Sequence, residues 1–225
     1  MLHPSFFADD THGTAKGAGT LVTGGARGIG RACAEELSQA GAAAVIVDRL
    51  VEEGNTTAQA IGQSGKQVVA LAGDLARVDA IPTIVRKAEE AFGRIDILVN
   101  NAGISTSTPT ESITEEQWDR VMGINLKTVF LVTQSVLPIM VRQGGGAIVN
   151  VGSVVGRSGG VNSTVDYTAS KAGVLGMTRT LARQYAAKGI RVNAVAPGPI
   201  ETDMVRDWSA QTRSNMIARE RTLLA

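Results

Sequence analysis

Cysteine is nearly missing from this chain. Cys33 is the only one among 225 residues, so no disulfide can form within the chain, and the usage fits a reducing compartment. Its place in an alanine-rich helical run suits a small buried side chain. Aromatic residues make up only 4% against 26 glycines. That balance disfavours an all-β sandwich and suits an α/β protein with many tight turns and close backbone contacts. Neither sign of charge is in excess, with 22 basic and 21 acidic residues, which argues against charge-driven binding to nucleic acid or to a membrane surface. His3 and His12 are the only histidines. No cysteine or clustered carboxylate stands with them to complete a coordination shell, so no metal site is expected. No apolar run reaches the length of a membrane span and no signal peptide is visible, giving a cytoplasmic expectation. Repeats, low-complexity blocks and interdomain linkers are missing too. The length suffices for one large core and is short for two. Residues 1–18 are polar and aperiodic and are expected to form a flexible tail; residues 19–225 are expected to form one domain.

What is present is an alternation of short apolar runs with helical segments. Residues 20–23 read as a buried strand, followed by TGGARGIG (23–30) and a helix over 29–40. Gly24, Gly28 and Gly30 let the backbone turn sharply and approach a pyrophosphate, whose charge a helix N-terminus favours. A second strand, 43–47, ends at Asp48, where a carboxylate about 20 residues past the glycines holds a ribose 2′-hydroxyl. A helix over 51–63 leads to a strand at 67–71 and then Asp74 and Leu75. Residues 77–92 read as a helix that tolerates Pro82 in its first turns. Residues 94–99 read as a strand, with Asn100, Asn101, Ala102 and Gly103 after it. Strands alternating with helices imply parallel strands, right-handed crossovers and a crevice at the strands' carboxyl ends. Asp48, Asp74 and the 100–103 run therefore fall along one rim. Thr114 caps a helix over 115–142, expected to bend at Pro138, with Asn125 a polar residue in its apolar middle. One reading of Asn125 is a buried amide tied to the backbone. A fifth strand at 147–151 precedes Ser153, and a sixth at 190–195 precedes Pro197 to Thr202.

If 165–187 is helical, Tyr167 and Lys171 lie one turn apart on the same face. A cation beside a phenol favours the phenolate and lowers its pKa from the ordinary ~10. Ser153, at a strand's carboxyl end, can hydrogen-bond a substrate oxygen while Tyr167 exchanges a proton with it.

Taken together, TGGARGIG, Asp48, Asp74-Leu75, the Asn100–Gly103 run, Asn125, Ser153, the Tyr167–Lys171 segment and PGPIET (197–202) closely resemble the short-chain dehydrogenase/reductase family. The match runs from about residue 19 to 204. It implies an α/β fold with one doubly wound Rossmann sheet, and hydride transfer between a nicotinamide and a secondary alcohol or ketone. The 3-oxoacyl-carrier-protein reductase-like and the sugar- or polyol-oxidising members are the nearest subgroups. On that resemblance Tyr167 is the general acid or base, Lys171 binds the nicotinamide ribose and lowers the Tyr167 pKa, and Ser153 orients the substrate oxygen. Asn125 positions a water that links Lys171 to solvent. The cofactor contacts implied are Gly24, Arg27, Gly28, Ile29, Gly30, Asp48, Arg49, Asp74, Leu75, Asn101, Ala102, Gly103, Tyr167, Lys171, Pro197, Gly198, Ile200 and Thr202.

Asp48 favours NAD over NADP, since a carboxylate repels a 2′-phosphate; Arg27 and Arg49 are the features that would suit NADP instead. Helices 115–142 and 165–187 are expected to pair two copies into a homodimer. Relatives usually carry a seventh strand that the chain's end here leaves out, which would expose a sheet edge. Met204, Trp208 and Met216 are expected in a substrate-covering segment or on a surface helix. A second function follows from that shortness: an impaired dinucleotide-binding paralogue acting as sensor or subunit. A nucleotide-sugar epimerase or dehydratase is disfavoured without a sizeable C-terminal substrate domain.

Overall fold

The computed structural model describes residues 15–202. The expectations for the N-terminal tail, for Met204, Trp208 and Met216, and for a seventh strand lie outside the described residues. The chain's first half alternates: β1 (Gly19–Thr23), α1 (Gly28–Gln39), β2 (Ala43–Asp48), α2 (Val51–Gly62), β3 (Val68–Ala72), α3 (Ile81–Phe92) and β4 (Ile97–Asn100). There follow α4 (Glu115–Met122), α5 (Thr128–Gln143), β5 (Gly146–Val151), the short α6 (Val155–Ser158), α7 (Val165–Tyr185) and β6 (Ile190–Val195).

All strand pairs are parallel, in the order β3-β2-β1-β4-β5-β6. The chain winds outward one way from β1 to β3, crosses back to β4, and winds the other way. The crevice expected of such a sheet lies at the carboxyl ends beside β1 and β4, where the order reverses. This is the doubly wound α/β architecture. The register places Val22 beside Ile46 and Val99, and Asn100 beside Asn150.

Alternation along the strands assigns each side chain to a layer. Leu21, Val45, Val47, Leu98, Ile148 and Val192 face α3, α5 and α7, whose Ile81, Val85, Val136, Met140 and Leu181 complete that layer. Val22, Ile46, Val99 and Val151 face the other way, where α1 and α2 supply Ala34, Leu37 and Ile61. Each fully buried Leu, Ile or Val contributes about 1.5–3 kcal/mol, so the central strands are held from both sides.

Most expected boundaries are met within a residue or two. The 77–92 segment divides into a 3₁₀ turn, Val78–Ala80, and α3, and the fourth strand is shorter than expected. The long helix differs in kind. Its irregularity lies not at Pro138, which sits inside an unbroken α5, but at a π-helical segment, Gly123–Lys127, containing Asn125. Thr114 caps α4 as expected, its hydroxyl accepting the Gln117 N–H at 3.1 Å. By length and composition the span Glu115–Gln143 is apolar enough to cross a membrane, contrary to the reading that no run reaches that length. Half of that window is buried inside the domain, where it packs on the sheet.

Candidate active site

The β1–α1 turn forms a close-packed cradle. Gly24 and Gly28 adopt φ of +64° and +58°, a region side chains disfavour. A Cβ on Gly24 would lie 2.9 Å from the Ala102 Cα, and one on Gly30 would lie 2.1 Å from the Gly24 carbonyl oxygen. Arg27 stands at the N-cap of α1 without a side-chain capping bond. Among the described residues no side chain is seen to cap the first N–H groups of α1, which fits the pyrophosphate of a dinucleotide. Thr202 closes the far side; its Cγ2 would be 3.3 Å from a Cβ on Gly28.

Asp48 stands at the end of β2, as expected, with a second duty. Its carboxylate accepts the Ala26 N–H at 3.1 Å and the Leu50 N–H at 3.0 Å, bracing the glycine turn against β2. Asp74 caps its own turn by accepting the Ala76 N–H at 3.0 Å. Leu75 is 7% exposed and packs in the core, so burial sets its side chain's surroundings. Arg27 and Arg49 are exposed.

A second depression, about 150 Å³, opens at the carboxyl ends of β4, β5 and β6. It brings together Ile29, Asn101, Gly103, Ser153, Tyr167, Lys171, Pro197, Gly198, Ile200 and Thr202. Asp48, Asp74, Leu75, Arg27, Arg49, Ala102 and Asn125 do not line it. Ser153 is 8% exposed and shares the depression with Tyr167, close enough to pull the phenol's pKa down. The Lys171 ammonium donates to the Val151 carbonyl at 2.8 Å and lies 5.8 Å from the centre of the Tyr167 ring.

That placement corrects the expected electrostatics. Burial raises the Tyr167 pKa, and the Ser153 hydroxyl offsets this only in part. Lys171 is buried as well and its pKa falls to about 8. At the ring-to-ammonium distance found, desolvation of the phenol outweighs the pull of the cation.

Asn125 takes up one of the two settings expected of it. Its Oδ1 accepts the Ile104 N–H at 2.8 Å, and its Nδ2 donates to the Ile104 carbonyl at 2.9 Å and to Ser170 Oγ at 3.1 Å. The backbone-tied reading is the one realised. The π segment turns this amide toward the β4–α4 loop, and a Cβ on Gly103 would touch both its Oδ1, at 3.2 Å, and Lys171 Nζ, at 3.5 Å.

Two further residues shape the site without a signal in the sequence. Thr23 Oγ1 accepts the N–H groups of Asn101 and Ala102 at 3.0 and 3.1 Å, and Asn101 Nδ2 donates to the Thr23 and Gly24 carbonyls at 3.0 and 2.9 Å. This set stitches the floor of the crevice to the glycine turn. A threonine ending a strand carries no signal beyond β propensity. Gly156 lets α6 rest on α7 at Lys171, where a Cβ would lie 2.7 Å from the lysine's carbonyl carbon.

The family model described as short chain dehydrogenase matches residues 19–213. The chain belongs to the short-chain dehydrogenase family. It is an oxidoreductase of a family that works with a nicotinamide dinucleotide. The 3-oxoacyl-[acyl-carrier-protein] reductase FabG of Thermotoga maritima is 44% identical over 200 residues, covering 88% of this chain and 80% of that protein. The enzyme of the same name from Escherichia coli K12 is 38% identical over 199 residues, with 88% and 80% covered. Among solved structures, a protein assigned as a short-chain alcohol dehydrogenase from Sinorhizobium meliloti superposes with a TM-score of 0.82 at 40% identity. It covers 92% of this short-chain dehydrogenase, which in turn covers 81% of it. A short-chain dehydrogenase/reductase assigned in Burkholderia xenovorans gives 0.85 at 36% identity, with 92% and 83% covered.

Proposed function

We propose that this short-chain dehydrogenase transfers a hydride between NAD(H) and a secondary alcohol or ketone, using Ser153, Tyr167, Lys171 and Asn125. The observation that carries the reading is the convergence of Ser153, Tyr167 and a buried Lys171 on one depression beside the glycine cradle. The bound nicotinamide supplies or accepts the hydride; the chain must handle the proton. In reduction, Tyr167 Oη gives its proton to the carbonyl oxygen as that oxygen gains charge, while Ser153 Oγ holds the same oxygen in line. A phenol kept protonated by burial suits the role of acid. Lys171, with a pKa of about 8, exchanges protons near neutral pH, and Asn125 Oδ1, which like the Lys171 ammonium borders Gly103, keeps a lone pair for a water that carries the proton outward.

Asp48 is proposed to read a free ribose 2′-hydroxyl. Each of its oxygens already accepts one backbone N–H and retains a further lone pair, whereas a 2′-phosphate there would face a carboxylate. Curated relatives named as 3-oxoacyl-carrier-protein reductases make a 3-oxoacyl thioester the first ketone to try. The test is steady-state turnover of 3-oxoacyl thioesters, simple ketones and polyols with each of the four nicotinamide forms. Turnover with NAD(H) in preference to NADP(H) is expected. Preference for NADP(H) would overturn the Asp48 reading, assigning the ribose to Arg27 and Arg49; nucleotide binding without turnover would favour the sensor or subunit reading.

A homodimer through α4, α5 and α7 is proposed as well. Phe130 and Val141 are 43% and 37% exposed, and they line a groove of about 500 Å³ between α5 and α7 with Leu137, Leu181 and Tyr185. Phe130→Glu is expected to give a monomer by light scattering, and an unchanged mass would refute this interface.

A further inference from the structure

Beside the reacting groups lies a polar network that hydride transfer itself does not use. The β4–α4 loop runs in alternation: Ser105 and Ser107 are exposed, while Thr106 and Thr108 turn inward. Gln117, on α4, holds both inward threonines. Its Oε1 accepts the Thr108 hydroxyl at 2.7 Å, and its Nε2 donates to Thr106 Oγ1 at 3.2 Å. The same Nε2 donates to Asp166 Oδ2 at 2.8 Å. Thr106 extends the network to the N-cap of α7 by donating to Thr164 Oγ1 at 3.2 Å, and Thr164 lies close enough to Asp166 to hold its carboxyl pKa down.

Asp166 is wholly buried and immediately precedes Tyr167, whose backbone N–H it accepts at 2.7 Å. No ion pair among the described residues includes it; its partners are neutral donors. A helix start needs no such carboxylate, since an exposed Ser or Thr satisfies the same N–H groups without burying a charge. Thr114 does that for α4. What the buried carboxylate adds is a fixed link from α7 to a loop whose Ser105 and Thr106 line the depression that holds Tyr167.

We propose that Gln117 and Asp166 are positioning residues that lock the substrate-facing loop, residues 104–108, onto the start of the helix carrying Tyr167. The inference rests on the oxidoreductase reading of that depression. A substrate seated against the loop is then held at a set distance from the phenol, and small errors in such placement are costly to rate.

The link can be reversed as well as broken. Gln117→Glu sets two carboxylates face to face, and Asp166→Asn sets two NH₂ groups face to face. The double variant exchanges donor for acceptor and restores the pair, while the amide oxygen introduced by Asp166→Asn still accepts the Tyr167 N–H. At pH 8 each single variant is expected to lose about tenfold or more in kcat/KM for the ketone, with KM for the nucleotide unchanged. Deuterium uptake over 104–108 should rise in each single variant. The double variant should recover most of both losses, which a merely structural defect would not do. Single variants that match wild type in both rate and exchange would overturn the proposal, as would a double variant no better than the worse single one. If the wild-type chain turns over nothing, the oxidoreductase reading fails by itself. The exchange pattern still decides the link: no rise in the single variants, or no recovery in the double, refutes it.

Discussion

Lys171→Met should show that the candidate site is held at a cost to stability. Burial lowers the Lys171 pKa from 10.5 to about 8, and the residue is only 5% exposed, so solvent screening does little to dilute the effect. Below pH 8 both folded and unfolded chains carry the ammonium, and folding bears the full cost of burying it. Between about pH 8 and 10.5 the unfolded chain holds more protons, so stability rises with pH until that cost is gone. The cost is about 3 kcal/mol at pH 7 and about 1.4 kcal/mol at pH 9.5. Methionine removes it while keeping the length of the stem. It also takes the donor from the Val151 carbonyl, a loss of about 1–3 kcal/mol that does not vary with pH. The informative quantity is therefore the stability of the variant minus that of wild type, measured by urea unfolding at both pH values. That difference should fall by about 2 kcal/mol on going from pH 7 to 9.5, while turnover is lost at both. A difference that does not change with pH would refute the buried-ammonium argument.

Three further outcomes are expected. Tyr167→Phe should abolish turnover yet keep the melting shift given by nucleotide, which is about 2.7 kcal/mol at 100 times the dissociation constant; full activity would sink the proton-transfer role. Gly30→Ala should lose nucleotide binding and destabilise the chain by about 1–3 kcal/mol, because its Cβ meets the Gly24 carbonyl oxygen at 2.1 Å; an unaltered melt and nucleotide shift would refute the cradle. Burial by itself would raise the Asp166 pKa, but the Thr164 hydroxyl, the Gln117 amide and the Tyr167 N–H outweigh it and leave the pKa lowered. Its stabilisation is then complete above the ordinary ~3.9 and is lost as pH falls through the lower folded value. Acid unfolding of Asp166→Asn should accordingly be less steep over that range than that of wild type.

The order of elements and the rim on which the site sits are legible in the residues alone. Apolar runs of strand length alternating with helical periods leave little besides a parallel sheet, and Gly24, Gly28, Gly30 and Asp48 mark its first βαβ turn through backbone needs that are local. Ser153 and Tyr167 could be placed for the same reason, one at a strand end and the other in the first turn of a helix. The tertiary structure decided what surrounds each group. Local spacing puts Lys171 one turn from Tyr167, but only packing decides that its ammonium reaches the Val151 carbonyl and that burial, rather than the charge, governs the phenol. The π segment that ties Asn125 to Ile104 leaves no pattern in the residues, and the partners of its amide, Ile104 and Ser170, lie 21 and 45 positions away. Thr23, Gln117 and Asp166 read as an ordinary strand end, a capped helix and a polar first turn. Their partners are 78, 49 and 49 positions away, and a hydrogen bond between residues that distant is fixed by the fold, not by the spacing along the chain.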